Sequence, residues 1–560
     1  MLARVRSGAL MGVDAVVVEV EVDMGLGMPL FAVVGLPEGA ARESKVRVVS
    51  AIKNCGFMLP SKRVTVNLAP ADLRKEGAAF ELPIALGVLA AAELIDLAPL
   101  ERYLFAGELS LDGAVKPIRG VLPLAVAARD AGFHGVMVPT ANAAEAALVD
   151  RIEVIAVATL REAVDHLSEA SLLEAVQRAP SAPAPKARPG TVDMADVRGQ
   201  SEVKDALELA AAGGHNVLMC GPPGSGKTML ARRLPTILPR LRFEEALEVT
   251  KIYSVLGLLA EGQALVSERP FRAPHHTLSD AGLVGGGPHT RPGELSLAHR
   301  GVLFLDELPE FRKHVLEVLR QPLEEGLVHL ARAAQHLTYP CRVMLVAAMN
   351  PCPCGYLNTP KRPCTCTPTR VADYHSRVSG PMLDRIDITL QTRPVDMNML
   401  SADGADERPS SYYRARVEAA REIQRRRFLE EEGVYCNAQM SSPLTRRHCK
   451  LSKRSARLLE LAVNNFGLSA RAHDRILKLA RSHADLEGRD DVTEDDVKIA
   501  VDCRMLDRQG WFSAGFADGP RARSAPSYFS KLLTAPDARM GTGGAGRESE
   551  APPSEDPEAW

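Results

Sequence analysis

The hydrophobic and polar positions of the N-terminal part of the chain follow strand and helix periods in turn. Residues 16–23 (VVVEVEVD) alternate with period two over their second half, which is typical of a half-buried strand. Residues 63–68 (RVTVNL) and 136–138 are further predicted strands. The Ala- and Leu-rich segments 82–95 and 121–131 predict helices. We therefore expect an α/β domain in this part of the chain.

A second series of short apolar runs begins near the middle of the chain. Residues 216–220 (NVLMC), 301–305 (GVLFL) and 342–348 (RVMLVAA) are almost entirely apolar, as expected for strands that are buried on both faces. Helical segments separate these runs, so the pattern predicts a mainly parallel sheet with a ligand site at its switch point. From about residue 412 the pattern becomes helical, which predicts a small helical lid.

Two composition shifts divide the chain into domains. Residues 179–190 (APSAPAPKARPG) are rich in Pro and Ala, which predicts a semi-rigid linker. From 536 onward core-forming residues are almost absent, so we expect a disordered tail. The predicted boundaries are 1–175 for the N-terminal α/β domain, 176–193 for the linker, 194–400 for the parallel-sheet core, 401–510 for the helical lid, and 511–560 for an extension and tail.

Charge and composition exclude some classes of protein. The 560 residues include 68 Lys and Arg against 70 Asp and Glu, a net charge of −2, so this is not a protein that coats nucleic acid through overall positive charge. An aromatic content of 4% argues against an extended base-stacking surface. No apolar run approaches the roughly 18 residues of a membrane span. Asp14, Glu19 and Glu21 stand where a signal peptide needs an apolar core, so we expect a cytoplasmic protein with no membrane partner.

A glycine-rich segment between a predicted strand and a predicted helix fits the pattern G-x-x-x-x-G-K-[ST], which binds nucleotide phosphates. Its glycines allow the backbone N–H groups to turn toward the phosphates of ATP. Lys227 is expected to neutralise the β- and γ-phosphates, and the Thr228 hydroxyl is expected to bind Mg²⁺. The candidate nucleotide-binding residues are Gly221, Pro222, Pro223, Gly224, Ser225, Gly226, Lys227 and Thr228.

Polar residues also end the next two predicted strands. Asp306 is expected to complete the Mg²⁺ site, and the adjacent Glu307 is a candidate general base that polarises the attacking water. Asn350 is placed to orient that water between Glu307 and the γ-phosphate. From its local sequence alone, Asn350 before Pro351 is better explained as a turn residue.

The motif set resembles that of AAA+ ATPases of the magnesium-chelatase-like clade over residues from about 194 to 505. The resemblance is carried by GPPGSGKT, GVLFLDELPEF, AAMNPCPCG, SGPMLDRIDI and LSARAHDRILKLAR, and nearly the whole chain except its tail is similar to the ComM/YifB family. This resemblance implies an ATP hydrolase with an AAA+ P-loop α/β core and a helical lid.

The resemblance also implies roles for two arginines. Arg385 matches an arginine finger that reaches the γ-phosphate of a neighbouring subunit, and Arg471 matches a lid arginine that senses the nucleotide. Without the resemblance, ion pairs with the nearby Asp384 and Asp474 are the simpler interpretation. An arginine that acts in trans implies a homo-oligomeric ring, which the family suggests is a hexamer.

Residues 1–170 resemble the peptidase-like domain of Lon and of the RadA repair protein, an α/β fold of the ribosomal protein S5 domain 2-like type. GELSLDG, VKPI and VMVPTANAAEA carry this resemblance. Lon-type proteolysis needs a serine nucleophile and a lysine base. The alignment puts Ala79 and Leu122 at these two positions, so we expect the fold without the peptidase activity. Ring assembly and substrate guidance remain as alternative roles for the domain.

Four cysteines form two C-x-C pairs, Cys352 with Cys354 and Cys364 with Cys366. Four thiolates suit a tetrahedral Zn²⁺ ion better than a disulfide in a cytoplasmic protein, whereas a set of reduced loop thiols is an equal alternative. Four histidines of the region before the 301–305 strand are scattered over a Gly-rich stretch, which favours a flexible insertion facing a pore, and we assign them no ligand. These histidines are His275, His276, His289 and His299.

Three classes of function fit these observations. The first is a ring ATPase that translocates on or remodels DNA, with branch migration or helicase activity in natural transformation or recombination. The second is a chelatase-type subunit that couples ATP hydrolysis to metal insertion or partner remodelling, and the third is an adaptor that binds ATP without hydrolysing it. The complete set of candidate catalytic residues argues against the adaptor, and the domain at 1–170 argues against the chelatase.

Candidate DNA contacts lie in two places. His329 and Arg332 belong to a predicted hairpin before the 342–348 strand, and a basic triplet lies in the lid at Arg425, Arg426 and Arg427. Such a triplet is more often a solvated helix face.

Overall fold

The computed structural model describes most of the chain from residue 1 to residue 504. The described residues are 1–71, 73, 75, 78–177, 192–260, 262–287, 290–332, 335–359, 362–393, 408–466 and 469–504. The central part of the predicted linker and the predicted tail lie outside these residues, as does His289.

The N-terminal domain is built on a mixed sheet. The strands of this sheet are β1 (Leu2–Met11), β2 (Asp14–Gly25), β3 (Leu30–Val34), β4 (Arg63–Ala69), β5 (Tyr103–Phe105), β8 (Gly135–Pro139) and β9 (Glu153–Val157). A separate small hairpin consists of β6 (Glu108–Leu109) and β7 (Val115–Lys116). In the described residues the strand order is β3-β4-β2-β1-β5-β8-β9. The two long strands β1 and β2 are antiparallel, whereas β1, β5, β8 and β9 are parallel to one another.

Helices cover both faces of this sheet and enclose two hydrophobic cores. They are α1 (Glu38–Asn54), α2 (Glu81–Ala91), α3 (Val121–Asp130), α4 (Ala143–Ala146) and α5 (Leu160–Leu167). Every residue of α2 is buried, because a helix that is apolar on all sides packs against protein on all sides. The helix predicted over residues 82–95 ends earlier, at Ala91. Glu93, two residues later, has a left-handed backbone with φ of 61°, which a helix cannot continue through. Sequence patterns did not predict β1 or α1.

Neither position of the Lon-type dyad carries a reactive side chain. Ala79 lies in a short helical turn, and its carbonyl oxygen accepts a hydrogen bond from the Gly107 N–H at 2.9 Å. Leu122 is fully buried in α3, within the core on the second face of the sheet. The chain therefore offers no hydroxyl and no amine at these two positions.

The second domain is built on a parallel sheet, as predicted. Its strands are β10 (Val217–Cys220), β11 (Phe271–Arg272), β14 (Val302–Leu305), β17 (Met344–Met349) and β18 (Ile388–Gln391), and its hairpins are β12 (Gly285–Gly286) with β13 (Arg291–Pro292) and β15 (Leu327–Arg332) with β16 (Gln335–Pro340). Within the described part of the chain the strand order is β11-β14-β17-β10-β18, with every neighbouring pair parallel. The predicted hairpin before β17 is confirmed, with His329 opposite Thr338.

Helices surround this sheet and continue beyond it. They are α6 (Ser201–Gly213), α7 (Lys227–Ile237), α8 (Phe243–Leu256), α9 (Asp280–Leu283), α10 (Glu294–Leu297), α11 (Lys313–Val318), α12 (Arg320–Glu325), α13 (Pro368–Ser376), α14 (Gly380–Leu383), α15 (Ser410–Arg427), α16 (Ser442–His448), α17 (Lys453–Phe466), α18 (Ala470–Leu486) and α19 (Glu494–Asp502). The last five form a helical region in which α15 and α18 pack on α6. Among the described helices, none combines the length and the hydrophobicity that crossing a membrane requires.

The two α/β domains are in direct contact. Helix α3 packs on α8, the Gly120 N–H donates to the Ser254 carbonyl at 3.0 Å, and Lys251 pairs with Asp14 at 3.1 Å. At the turn between β1 and β2, Val13 packs against the hydrophobic core of the parallel-sheet domain, to which the hairpin residue Tyr339 belongs. The N-terminal domain therefore contacts both α8 and the β15–β16 hairpin.

A carboxylate at the start of β18 connects the sheet to the helical region. Asp387 accepts a hydrogen bond from the Asn216 N–H at 3.0 Å, lies 3.5 Å from His215 and pairs with Arg475 of α18 at 3.1 Å. Burial alone would raise the pKa of Asp387, but the hydrogen bond with His215 and the charge of Arg475 hold that pKa well below its ordinary value. The folded state therefore favours the ionised carboxylate.

We expect Asp387→Asn to lower the free energy of unfolding by about 3 kcal/mol near neutral pH, because it removes one charge of a largely buried ion pair. The pKa of Asp387 is lower in the folded state, so its contribution is present above the unfolded value of about 3.9 and is lost as pH falls below it. Urea unfolding should therefore show a difference between wild type and variant that shrinks below about pH 4. Asp384→Asn is the matched control, and an equal loss in both variants would contradict the assignment.

Candidate functional site

A glycine-rich turn joins β10 to α7 at the carboxyl edge of the parallel sheet. Gly224 and Gly226 have φ of 76° and 82°, which only glycine adopts at low cost. A Cβ at Gly221 would lie 2.1 Å from the Thr392 hydroxyl oxygen, so the loop backbone packs directly on the end of β18. The residues of the predicted phosphate-binding segment thus form a tight loop that leads into a helix N-terminus, where backbone N–H groups are free to bind anions.

Two residues that sequence reasoning missed hold this loop in place. The Ser225 hydroxyl is buried and lies 2.8 Å from that of Thr392, and the Gln200 side-chain amide donates to the Ser225 carbonyl at 2.7 Å. Gln200 itself has a left-handed backbone with φ of 56°. Its neighbour Gly199 in the VRGQ segment was the only local signal of this turn.

Lys227 lies at the first position of α7 and points into the loop. Its ammonium group donates to the carbonyl oxygens of Gly221 at 2.7 Å and Pro222 at 3.0 Å, and to the Asn350 side-chain oxygen at 3.2 Å. Burial lowers the pKa of Lys227, while nearby acidic groups including Asp306 act in the opposite direction. The structure therefore brings Lys227 and Asn350 together, although they are 123 positions apart.

A hydroxyl and a carboxylate meet beside the loop. The Thr228 hydroxyl donates to Asp306 at 2.8 Å, because β14 ends and α7 begins at this edge of the sheet. The donors here are oxygen atoms, which fits the preference of Mg²⁺ for hard ligands.

Glu307 follows Asp306 in an unusual backbone conformation. Its φ of 52° lies in the left-handed region, which is costly for a non-glycine residue and is common at functional sites. The Glu307 N–H donates to Asp306 at 3.0 Å, and the Glu307 side chain is 55% exposed. The carboxylate is therefore held at the edge of the site with access to solvent.

The histidines described in this region, His275, His276 and His299, each make ring or polar contacts. His276 lies 3.5 Å from the Glu307 carboxylate and packs edge-on against Phe311, and the ring of His275 lies over it with centroids 4.1 Å apart. His299 is buried and pairs with Glu248 at 3.0 Å, so it serves the core. His299 therefore belongs to the core and not to the predicted insertion, whereas for His275 and His276 an insertion that faces a pore stays a prediction.

The two expected regulatory arginines differ in their surroundings. Arg385 is buried, pairs with Glu324 at 2.7 Å and donates to the carbonyl oxygens of Arg320 and Pro381. The simpler alternative of an Asp384 pair is wrong, since Glu324 takes that place. Arg471 is exposed at the start of α18, and within the described residues its side chain makes neither a hydrogen bond nor an ion pair, so the alternative of an Asp474 pair is wrong as well.

The cysteine pairs converge directly after Asn350. The four Sγ atoms of Cys352, Cys354, Cys364 and Cys366 lie within 4.8 Å of one another. Gly355, between the pairs, has φ of 83°, and a Cβ there would lie 2.6 Å from Pro223 of the phosphate loop. The cluster is therefore part of the same edge of the sheet.

The candidate DNA contacts on the hairpin and in the lid differ in their surroundings. On the β15–β16 hairpin His329 is 52% exposed, and Arg332 lies at the last position of β15. In the lid, Arg427 pairs with the buried Asp485, so its prediction as a DNA contact is wrong. Arg425 and Arg426 both pair with Glu422 one turn away on the same helix, as on a solvated helix face.

Comparisons with known proteins match three parts of the chain to one family. Family models described as magnesium chelatase subunit ChlI match residues 193–400 and 20–142, and a model of the C-terminal part of that subunit matches residues 407–504. At greater distance, the DNA replication licensing factor mcm2 of Xenopus laevis is 22% identical over 339 residues, which cover 54% of this chain and 35% of that protein.

Two full-length relatives are much more similar. The uncharacterized protein YifB of Salmonella typhimurium is 42% identical over 508 residues, which cover 90% of this chain and 98% of that protein. The competence protein ComM of Haemophilus influenzae is 42% identical over 509 residues, with the same coverage of both chains. Because similarity at this level runs through both α/β domains and the helical region, the chain belongs to the ComM/YifB family of magnesium-chelatase-like AAA+ proteins.

Proposed function

We propose that this protein is a ring-forming ATPase that uses ATP hydrolysis to translocate on or remodel DNA. The observation that carries the proposal is the convergence of Lys227, Thr228, Asp306, Glu307 and Asn350 at one edge of the parallel sheet. These side chains come from separate parts of the chain, and a protein that only bound ATP would not need the last two.

Each residue takes a separate part in hydrolysis. The loop N–H groups and Lys227 bind the phosphates of ATP, and Lys227 exchanges its carbonyl contacts for phosphate oxygens. Thr228 and Asp306 would hold Mg²⁺, which neutralises charge on the β- and γ-phosphate oxygens. Glu307 accepts a proton from the attacking water, whose oxygen bonds to the γ-phosphorus while the bond to ADP breaks. Asn350 orients that water.

Arg385 completes the site of a neighbouring subunit in this proposal. In the single chain its guanidinium is held by Glu324, so it must leave this partner to reach a γ-phosphate in trans. Arg471 is already exposed at the start of α18 and acts as the lid arginine that senses the nucleotide. Completion of each site by the next subunit requires a closed ring, which we propose to be a hexamer.

DNA is the proposed substrate of the ring. Two relatives support this: one is named a competence protein and the other a DNA replication licensing factor. The β15–β16 hairpin, with His329 exposed, is the proposed contact, and branch migration or helicase activity in natural transformation or recombination is the proposed role. The matches to chelatase models favour a second candidate, an ATPase that drives metal insertion or partner remodelling.

Glu307→Gln should bind ATP but hydrolyse it about 10²–10⁴ times more slowly, because the amide cannot accept a proton from water. Steady-state phosphate release and nucleotide binding measure the two effects separately. Glu310→Gln is the matched control, since Glu310 is an exposed acid three positions later. Hydrolysis at the wild-type rate in Glu307→Gln would exclude Glu307 as the base.

Mixtures of two inactive variants test the trans arginine. Arg385→Ala subunits should bind ATP without hydrolysing it, and Lys227→Ala subunits should fail to bind it. In a mixed ring, an intact Arg385 can face a site with an intact Lys227, so activity should return. Because an arginine finger contributes about 10³–10⁵ in rate, even a few such interfaces should be measurable. If Arg385 acts in its own subunit, the mixtures will stay inactive.

ATP hydrolysis measured with single-stranded, duplex and branched DNA distinguishes the two functions. We expect DNA to bind and to raise the hydrolysis rate, and we expect replacement of His329 and Arg332 by Ala to reduce this stimulation while basal hydrolysis persists. Equal rates with and without every DNA, together with no DNA binding, would contradict the DNA assignment and leave the chelatase-type function in its place.

A further inference from the structure

The cysteine cluster next to the phosphate loop has the geometry of a single-ion metal site. The Cys352 Sγ atom lies 3.3 Å from that of Cys354 and 3.6 Å from that of Cys364, and the latter two are 3.5 Å apart. The fourth sulfur, of Cys366, lies within 4.8 Å of the others. Four sulfurs around a tetrahedral Zn²⁺ ion, with bonds of about 2.3 Å, are separated by about 3.8 Å.

A disulfide and an iron–sulfur cluster fit the distances between these sulfur atoms less well than a single ion does. A disulfide requires sulfurs about 2.05 Å apart, which is much shorter than the 3.3 Å between Cys352 and Cys354. The sulfurs also lie too close together to surround a cluster of several iron and sulfide ions. A tetrahedral set of four sulfur ligands fits Zn²⁺, because soft thiolates bind Zn²⁺ in preference to hard ions such as Mg²⁺ and Ca²⁺.

The cluster joins two elements of the ATPase core. Cys352 comes two positions after Asn350 at the end of β17, and Cys366 comes directly before Thr367, which caps α13. The buried ring of His375 in α13 donates to the Pro351 carbonyl at 2.9 Å and supports the same junction. A bond network through one ion would therefore fix the end of β17 relative to the start of α13.

Gly355, directly after the first cysteine pair, also lies against the phosphate loop. Gly355 approaches Pro223 so closely that no side chain fits between them. Asn350, two positions before the first pair, contacts Lys227. Any ordering of the segment between the pairs is therefore transmitted to the loop that binds phosphates.

We propose that Cys352, Cys354, Cys364 and Cys366 bind one structural Zn²⁺ ion, which holds the segment from Pro351 to Thr367 against the phosphate loop. The ion has all its positions filled by sulfur and takes no part in bond breaking, as in other closed four-cysteine sites. Its role is to keep Asn350 and Pro223 in their places while nucleotides enter and leave.

Metal analysis of the purified full-length protein, after exhaustive dialysis against a weak chelator, tests the site. We expect one zinc per chain in the wild type, at least a tenfold loss in Cys364→Ser/Cys366→Ser, and no loss in the control Cys55→Ser, whose thiol lies in the N-terminal domain. Cys366→His keeps a zinc ligand and should retain the metal. Wild-type protein that stays folded without metal and does not take up added Zn²⁺, or that holds iron in place of zinc, would overturn the proposal.

Two further measurements do not depend on the stability of the double variant. Wild-type protein in which Co²⁺ replaces the metal should show the visible absorption of tetrahedral cobalt bound to thiolates. Removal of the metal by a strong chelator should raise hydrogen exchange in residues 351–367, whereas β1 and β2 should be unchanged. An absence of tetrahedral absorption together with unchanged exchange would show that the four thiols hold no ion.

Discussion

Parallel pairing of β10 with β17 is the contact on which the candidate site depends. Cys220 lies opposite Met349 in this pairing, so the two strands end at the same level. The phosphate loop and Asn350 therefore begin side by side at the carboxyl edge of the sheet. Asn216 fixes the register at the other end of the strands, because its side chain accepts from the Leu345 N–H at 2.8 Å and donates to the Arg385 carbonyl at 2.8 Å. A slip of one residue would move Asn350 away from Lys227 and exchange the side chains between the two buried faces of β17, where each packs against different neighbours.

Local patterns predicted three of the five strands that the structure describes in this sheet, β10, β14 and β17, but not β11 or β18. The apolar runs before Gly221, Asp306 and Asn350 are short and bounded by polar or glycine residues, so each strand could be located from its own sequence. The same reasoning predicted Asp306 and Lys227 as site residues, because Asp306 directly follows a predicted strand and Lys227 belongs to the phosphate-binding pattern that follows another. Family resemblance added the two arginines, whose local sequence alone favoured ordinary ion pairs.

The features that sequence reasoning missed depend on contacts between residues far apart in the chain. His276 meets Glu307 because β11 and β14 are neighbours in the sheet, and nothing within either segment indicates that pairing. Arg427 was assigned to a surface, although its partner Asp485 lies 58 positions away inside the helical region. The strand β1 was missed for a related reason: α2 and α3 both pack on it, so Ser7, Gly8 and Ala9 are all buried and the alternation is lost in its second half.

The contact at Val13 gives the N-terminal domain a mechanical link to the hairpin. Val13 lies at the turn of a rigid two-stranded ladder that runs back into a large sheet, and it packs against the core that anchors Tyr339. A displacement of the hairpin would therefore act on the β1–β2 turn that contacts it. The next residue, Asp14, pairs with Lys251 of α8, so a single turn of the N-terminal domain contacts both the core that holds the hairpin and α8, and it couples the positions of these two elements.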